Sequence, residues 1–96
     1  MSELIVIEID CDPALYPKVN QVLGIDPETG SGDWPKGLVN HVGGGSDGKI
    51  VVAEVWESRA DQESFMASRL GPALAQIGVP MPKRMEWLPV LGFHTV

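Results

Sequence analysis

The chain has 96 residues, of which 44% are hydrophobic and 21% charged, and its formal net charge at pH 7 is -6. This length and composition predict one globular domain over residues 1–96. The seven basic residues are scattered along an acidic chain, which argues against nucleic acid as a partner. The same acidity argues against a basic helix that lies on a membrane surface.

One cysteine and the lack of a long apolar run indicate where the protein works. Cys11 has no second cysteine with which to form an intramolecular disulfide. No apolar run approaches the roughly 20 residues of a membrane-spanning helix. A secretory signal is not expected, because the sequence shows no basic segment followed by an apolar run. We therefore expect a cytoplasmic protein with no membrane partner.

The first quarter of the chain predicts a strand and a short helix. β-Branched residues dominate residues 3–10, and both faces are largely apolar at first, which is typical of a central strand. A turn is predicted over 12–16, because Pro17 disfavours helical geometry in the residue before it. The helix is then expected from about 16 to 23, where Gly24 can take the left-handed conformation that ends it.

A loop and a hairpin follow this helix. Residues 26–35 are rich in glycine and proline and predict a loop. Trp34 within this loop is expected either to cover the core or to line a ligand site or an interface. Two strands are predicted over 36–42 and 49–56, joined by a glycine-rich turn over 43–48 as an antiparallel hairpin.

The last part of the chain predicts one more helix and strand. Ser58 and Asp61 have the spacing of a capping box, so a helix is expected from 59 to about 77, kinked or split at Pro72. The last strand is predicted over 84–90. The order β-α-β-β-α-β predicts a ferredoxin-like α+β fold, with one antiparallel sheet and two helices on a single face.

The third predicted strand is apolar on both of its faces. Val51, Ala53 and Val55 point to one side, and Val52 and Trp56 to the other. The helices can cover only one face of the sheet. The other face therefore predicts a partner, and the simplest partner is a second copy of the chain in two-fold symmetry.

A carboxylate in this strand is the first candidate for chemistry. Glu54 shares a face with Val52 and Trp56, where burying a charge is costly without a partner. It is expected either to sit at the dimer interface, paired with an arginine or lysine, or to act as a general base. The register of the hairpin decides which residue of the preceding strand joins this face. If the numbers of two residues paired across the hairpin add to an odd sum, His41 joins it; if they add to an even sum, Asn40 joins it. As a functional residue, His41 would be an acid or base near neutral pH.

The remaining candidates each have a structural and a functional interpretation. Trp56 would either pack in the core or form a wall of an aromatic pocket. Tyr16 and His94 would either be structural or close the mouth of such a pocket. The two histidines and the cysteine are too widely separated for a zinc-ligand pattern, so no metal site is expected.

Several segments together carry a likeness to a known family: GLVNHV at 37–42, the hairpin glycines, VVAEVWES at 51–58, Phe65, and RLGPAL at 69–74. They resemble the dimeric α/β-barrel superfamily, and most closely the small proteins related to antibiotic biosynthesis monooxygenases. The resemblance covers residues 36–90 well and the first third of the chain loosely.

The resemblance implies a homodimer whose two sheets form a barrel, with a pocket between sheet and helices in each subunit. Trp56 would border that pocket, and Phe65 and Met66 would line it from the second helix. Haem-degrading members use a histidine on the second helix and an asparagine on the first strand. Residues 59–77 hold no histidine and residues 3–10 no asparagine, so that branch is disfavoured and no cofactor is expected.

The functional hypothesis from the sequence is a cofactor-independent monooxygenase that acts on a small aromatic or polyketide-like molecule. His41 or Glu54 would remove a proton from the substrate, and the carbanion would react with oxygen in an apolar cage. The alternative is a non-catalytic protein, either a dimer that binds a small ligand or a structural dimer, in which Glu54 and His41 are simply paired groups.

Overall fold

A computed structural model describes residues 2–96, which form one antiparallel sheet with helices on one face. The strands are β1 (Glu3–Ile9), β2 (Leu38–Ser46), β3 (Lys49–Trp56) and β4 (Arg84–Pro89). They lie in the order β2-β3-β1-β4, and every neighbouring pair is antiparallel. The helices are α1 (Tyr16–Leu23), α2 (Arg59–Phe65) and α3 (Gly71–Ile77). This order confirms the predicted ferredoxin-like α+β fold.

The entry to α1 shows how local sequence sets a helix boundary. Asp12 is extended, and its side chain accepts a hydrogen bond from the backbone N–H of Ala14. A short 3₁₀ turn over Pro13–Leu15 leads into the helix. Gly24 ends it with a φ of 75°, as the sequence predicts.

The β2–β3 hairpin differs from the prediction. The expected six-residue turn over 43–48 is wrong, because β2 continues through the glycines to Ser46 and only Asp47 and Gly48 form the turn. A Cβ on Gly43 would lie 2.5 Å from the Tyr16 ring, and one on Gly45 would lie 2.8 Å from a Pro13 side-chain atom. The glycines therefore give the strand a flat surface on which the start of α1 rests.

The second helical segment is divided at the predicted place. A π-helical stretch over Met66–Leu70 separates α2 from α3, and the N–H of Gly71 donates to the carbonyl of Met66. Pro72 has no N–H and its ring crowds the preceding turn. The widened turn just before Pro72 absorbs both effects. Ser58 caps α2 by accepting from the N–H of Asp61, as the sequence predicts.

The sheet has one covered and one open face. The covered face meets the helices through a core that consists of Ile5, Ile7, Ile9, Ile50, Val52 and Trp56 from the sheet, and Val19, Leu23, Phe65, Ala73, Leu74 and Val79 from the helical side. Leu4, Val6, Val51 and Ala53 point to the open face and are partly exposed. Among residues 2–96, no helix is long and apolar enough to span a membrane.

Candidate functional site

The register of the hairpin decides which polar residue joins Glu54. His41 lies directly opposite Glu54, and Asn40 lies opposite Val55. The paired numbers therefore add to an odd sum, and His41 points to the covered face. An irregularity in pairing between Leu38 and Asn40 shifts the register at the start of β2.

A hydrogen-bonded chain of side chains runs across the covered face. The indole N–H of Trp56 donates to Glu54 Oε1 at 3.0 Å. Glu54 Oε2 lies 2.7 Å from His41 Nδ1, and His41 Nε2 lies 2.5 Å from the Tyr16 hydroxyl. Glu54 is only 5% exposed. The predicted arginine or lysine partner at a dimer interface is wrong, because Glu54 lies on the covered face and pairs with His41 and Trp56 of its own chain.

The indole of Trp56 determines which group donates and which accepts in each of these hydrogen bonds. An indole N–H can only donate, so Glu54 Oε1 accepts there, and an ionised carboxylate accepts at both of its oxygens. Its other oxygen then accepts from His41, which places the imidazole proton on Nδ1 and leaves a lone pair on Nε2. Tyr16 donates its hydroxyl proton to that lone pair. Every side chain in this hydrogen-bonded chain therefore has a hydrogen-bond partner, as is usual for buried polar groups.

An apolar cavity lies beside this chain, between the sheet and the helices. It offers a volume of about 60 Å³ to small molecules such as water. Its polar borders come from Tyr16, Asn20, His41 and Glu54. Its apolar walls include Ile7, Leu23, Val52, Phe65, Leu70 and Leu74.

The size of the cavity limits what it holds in this conformation. It is roomy enough for a few water molecules, but an engineered cavity of about 150 Å³ is of the size that admits benzene. The cavity in this protein, at about 60 Å³, is less than half that size. An aromatic ligand therefore needs part of the wall to move.

Part of the wall comes from the loop between α1 and β2, residues 24–35. Its Trp34 borders the cavity, and its ring centroid lies 5.7 Å from that of His41. One side of the loop forms a surface groove that shares Trp34 and His41 with the cavity. The other side forms a groove that shares Tyr16 and Asn20 with it. We call residues 24–35 the cap loop.

A single arginine ties both ends of the cap loop to the second helical segment. The guanidinium of Arg69 donates to the carbonyls of Leu23 at 2.9 Å and Asp33 at 2.7 Å. It also lies 5.4 Å from the ring centroid of Phe65, a cavity wall. Arg69 therefore couples the loop to the wall opposite the sheet.

Four of the residues singled out from the sequence meet at the cavity. Tyr16, His41 and Glu54 form its polar border, and Phe65 contributes to its apolar wall. They come from α1, β2, β3 and α2 respectively. The fold thus brings together residues that lie up to 49 positions apart in the chain, from 16 to 65.

The other four lie elsewhere. Trp56 is fully buried behind Glu54 and holds its carboxylate, but it does not line the cavity. Met66 belongs to the π-helical stretch and is also outside the lining. Asn40 lies on the open face and borders only the surface groove beside Trp34. His94 is exposed in the tail after β4.

Some bordering residues had no assigned role from the sequence. Trp34 carried a signal, since a tryptophan in a glycine- and proline-rich loop is unusual, but its two interpretations remained open. Asn20 is 7% exposed and borders both the cavity and a groove. The helical periodicity of the sequence could not have distinguished Asn20 from a solvent-exposed asparagine on α1.

The environment of Tyr16 keeps its hydroxyl protonated at neutral pH. Burial is the main cause that raises its pKa above the ordinary value, and the negative charge of Glu54 adds to this. A hydrogen bond with the Asn20 side chain acts in the opposite direction and lowers the pKa of Tyr16. Over residues 2–96, no three His, Cys, Asp or Glu side chains come close enough together to hold a metal ion.

Comparison with known proteins establishes the fold. The sequence matches no protein-family model and no curated protein. A candidate antibiotic biosynthesis monooxygenase from Chloroflexus aurantiacus is similar with a TM-score of 0.68 and 13% identity, covering 99% of this chain and 98% of that one. A second from Deinococcus radiodurans has a TM-score of 0.59 and 11% identity, covering 100% and 98%.

A third solved structure, a protein of unknown function from Nitrosomonas europaea, has a TM-score of 0.69 and 12% identity, covering 99% of this chain and 94% of that one. The match runs over almost the whole length of every chain. The resemblance expected from the sequence is therefore confirmed for the fold.

Proposed function

We propose that the protein is a cofactor-independent monooxygenase for a small aromatic or polyketide-like molecule that binds in the cavity. The observation that carries the proposal is the hydrogen-bonded chain of Tyr16, His41, Glu54 and Trp56 on the wall of an apolar cavity. A neutral imidazole whose partner is a buried carboxylate is a good proton acceptor, because the carboxylate stabilises the imidazolium that forms.

The first step is removal of a proton from the substrate. Substrates of this class, such as phenols and hydroquinones, become electron-rich anions when they lose a proton. The His41–Glu54 pair supplies the acceptor, and the apolar walls exclude bulk water from the anion. Such an anion transfers electrons to oxygen far more readily than the neutral molecule does.

The second step joins oxygen to carbon. The anion and O₂ form a carbon–oxygen bond, which gives a peroxide that takes up a proton. Loss of water then leaves a carbonyl group, so a phenol and O₂ become a quinone and H₂O. One oxygen atom enters the product, the other enters water, and the substrate supplies all four electrons. The chemistry needs only a base and a dry cage from the protein.

We also propose that the working form is a cytoplasmic homodimer, paired through the open face of the sheet. That face carries Leu4, Val6, Val51 and Ala53, and no helix of the described residues covers it. Burial of such a surface is favourable at about 25 cal/mol per Å², and a two-fold pairing is the simplest way to achieve it. The single cysteine is compatible with a reducing compartment.

Oxygen uptake tests the proposal directly. The parent protein is incubated with a panel of hydroquinones, naphthols and anthrones in an oxygen electrode, and products are identified by mass spectrometry. His41→Ala is expected to lower the rate by about 10² to 10⁴, the range of general base catalysis. No oxygen uptake by the parent on any member of the panel would refute the oxygenase assignment.

A matched pair of glutamates provides the control. Glu54→Gln removes the charge beside His41 and is expected to slow the reaction. Glu57→Gln makes the same change three positions away, at an exposed side chain, and is expected to leave the rate unchanged. Equal rates for both variants would mean that the carboxylate beside His41 has no part in the reaction.

A further inference from the structure

We infer that Tyr16, rather than His41, is the residue that exchanges a proton with the bound ligand, and that His41 receives that proton only through the Tyr16 hydroxyl. The inference rests on the site of the proposed function and assigns its ligand a hydroxyl group of phenolic acidity. Tyr16 is then the catalytic residue, while His41 and Glu54 act through it.

The nitrogens of His41 are the first reason. Nδ1 lies 2.7 Å from Glu54, and Nε2 lies 2.5 Å from the Tyr16 hydroxyl. Neither nitrogen is free to meet a ligand. The ring also meets Trp34, with centroids 5.7 Å apart. A ligand in the cavity therefore faces the rim of the imidazole ring and not an open lone pair.

The position of Tyr16 is the second reason. It borders the cavity and also the surface groove on the α1 side of the cap loop. A ligand that enters from this groove meets the phenol before it meets His41. Asn20 borders the same two spaces and places a second polar side chain beside Tyr16. The hydroxyl thus connects the ligand space to the buried pair.

The glycine run of β2 is what brings this hydroxyl to His41. A Cβ on Gly43 would lie 2.5 Å from both the terminal ring carbon and the oxygen of Tyr16. Any side chain there would push the phenol away from its acceptor. Gly44, on the opposite face, has open space, since the nearest atom to its Cβ position is the carbonyl oxygen of Val51 at 3.9 Å.

The proton balance of the relay is simple. The hydroxyl proton of the ligand moves to the oxygen of Tyr16 while the proton of Tyr16 moves to Nε2 of His41. The ligand becomes an anion, Tyr16 is unchanged, and His41 becomes an imidazolium beside the carboxylate of Glu54. No electrons change hands in this step, so it proceeds without oxygen and can be measured separately from it.

Binding of 4-nitrophenol without oxygen tests the inference, because its phenolate is coloured. The ratio of phenolate to phenol in the bound probe is measured at fixed pH for the parent and Tyr16→Phe. Loss of a hydrogen bond to a charged group is expected to lower that ratio about tenfold or more in the variant. If His41 met the ligand directly, Tyr16→Phe would free Nε2, and an equal or higher ratio would overturn the inference.

A second pair of variants keeps the test independent of the Phe substitution. Gly43→Ala displaces the phenol without removing it and is expected to lower the ratio, while Gly44→Ala is expected to match the parent. Equal ratios for these two variants would contradict the relay, and so would failure of the parent to bind the probe. Absence of oxygen uptake would refute only the oxygenase assignment, because the ionisation of the probe requires no oxygen.

Discussion

Removal of the Arg69 guanidinium should release the cap loop from the helical layer. Arg69→Met keeps an apolar chain of similar length over Phe65 but loses the hydrogen bonds to the carbonyls of Leu23 and Asp33. Charged hydrogen bonds of this kind contribute about 1.5–3 kcal/mol each in favourable settings. The additional ion pair with Asp33 contributes about 0–1 kcal/mol, because that carboxylate is 85% exposed.

The expected size of the effect follows from these contacts. Arg69 is itself partly solvated, so we take the two carbonyl contacts together as about 2 kcal/mol. A loss of that size raises the open population of the loop about thirtyfold. Amide hydrogen exchange over residues 24–35 should accelerate by the same factor, while exchange in the β1–β3 pair should stay as in the parent.

Arg59→Met is the matched control on the same helical layer. Arg59 also forms an ion pair, with Glu3 at 3.1 Å, and lies 5.3 Å from the ring centroid of Trp87. No hydrogen bond joins its guanidinium to the cap loop in residues 2–96. Loop exchange should therefore match the parent. If Arg69→Met and Arg59→Met gave the same exchange rates over residues 24–35, the tethering argument would be refuted.

Three further predictions concern stability and assembly. Burial raises the pKa of Tyr16 above the ordinary tyrosine value of 10.0, so the unfolded chain loses this proton first as pH rises. The free energy of unfolding should fall above about pH 10, and an identical decline in Tyr16→Phe would contradict this. Val42→Lys, at a 59% exposed position on the open face, should give a monomer in light scattering, whereas Val22→Lys on α1 should remain a dimer. A monomeric parent would refute the dimer. Gln62→Met should raise the free energy of unfolding in urea by about 1 kcal/mol, because the buried Nε2 has no hydrogen-bond partner among residues 2–96. A lower stability would show that the amide is satisfied.

The order of elements was predictable because its signals are local. Asp12 and Ser58 accept backbone hydrogen bonds at the starts of helical segments, and Gly24 ends one with a positive φ. Pro72 disturbs the helix that contains it, because proline has no backbone N–H and its ring crowds the preceding turn. Such effects depend on a few neighbouring residues, so the ferredoxin-like order followed from the sequence.

The glycine run of β2 was misassigned because its reason is not local. Three consecutive glycines predict a turn when only their conformational freedom is considered. In the structure they leave space for Tyr16 and Pro13, which lie some 30 positions earlier in the chain. Only the packing of α1 on β2 turns a flexible sequence into a straight strand.

The candidate site also combines features that the sequence determines with features that only the tertiary structure decides. The sequence determined that Glu54 lies in an apolar strand and needs a partner, and it left either His41 or Asn40 to share the face of Glu54. The tertiary structure decided for His41, because hairpin register depends on pairing across two strands. It also decided that Tyr16 completes the chain and that Trp56 supports the carboxylate from behind. Side chains from separate elements meet only when the sheet and helices pack, so no local pattern could have specified that contact.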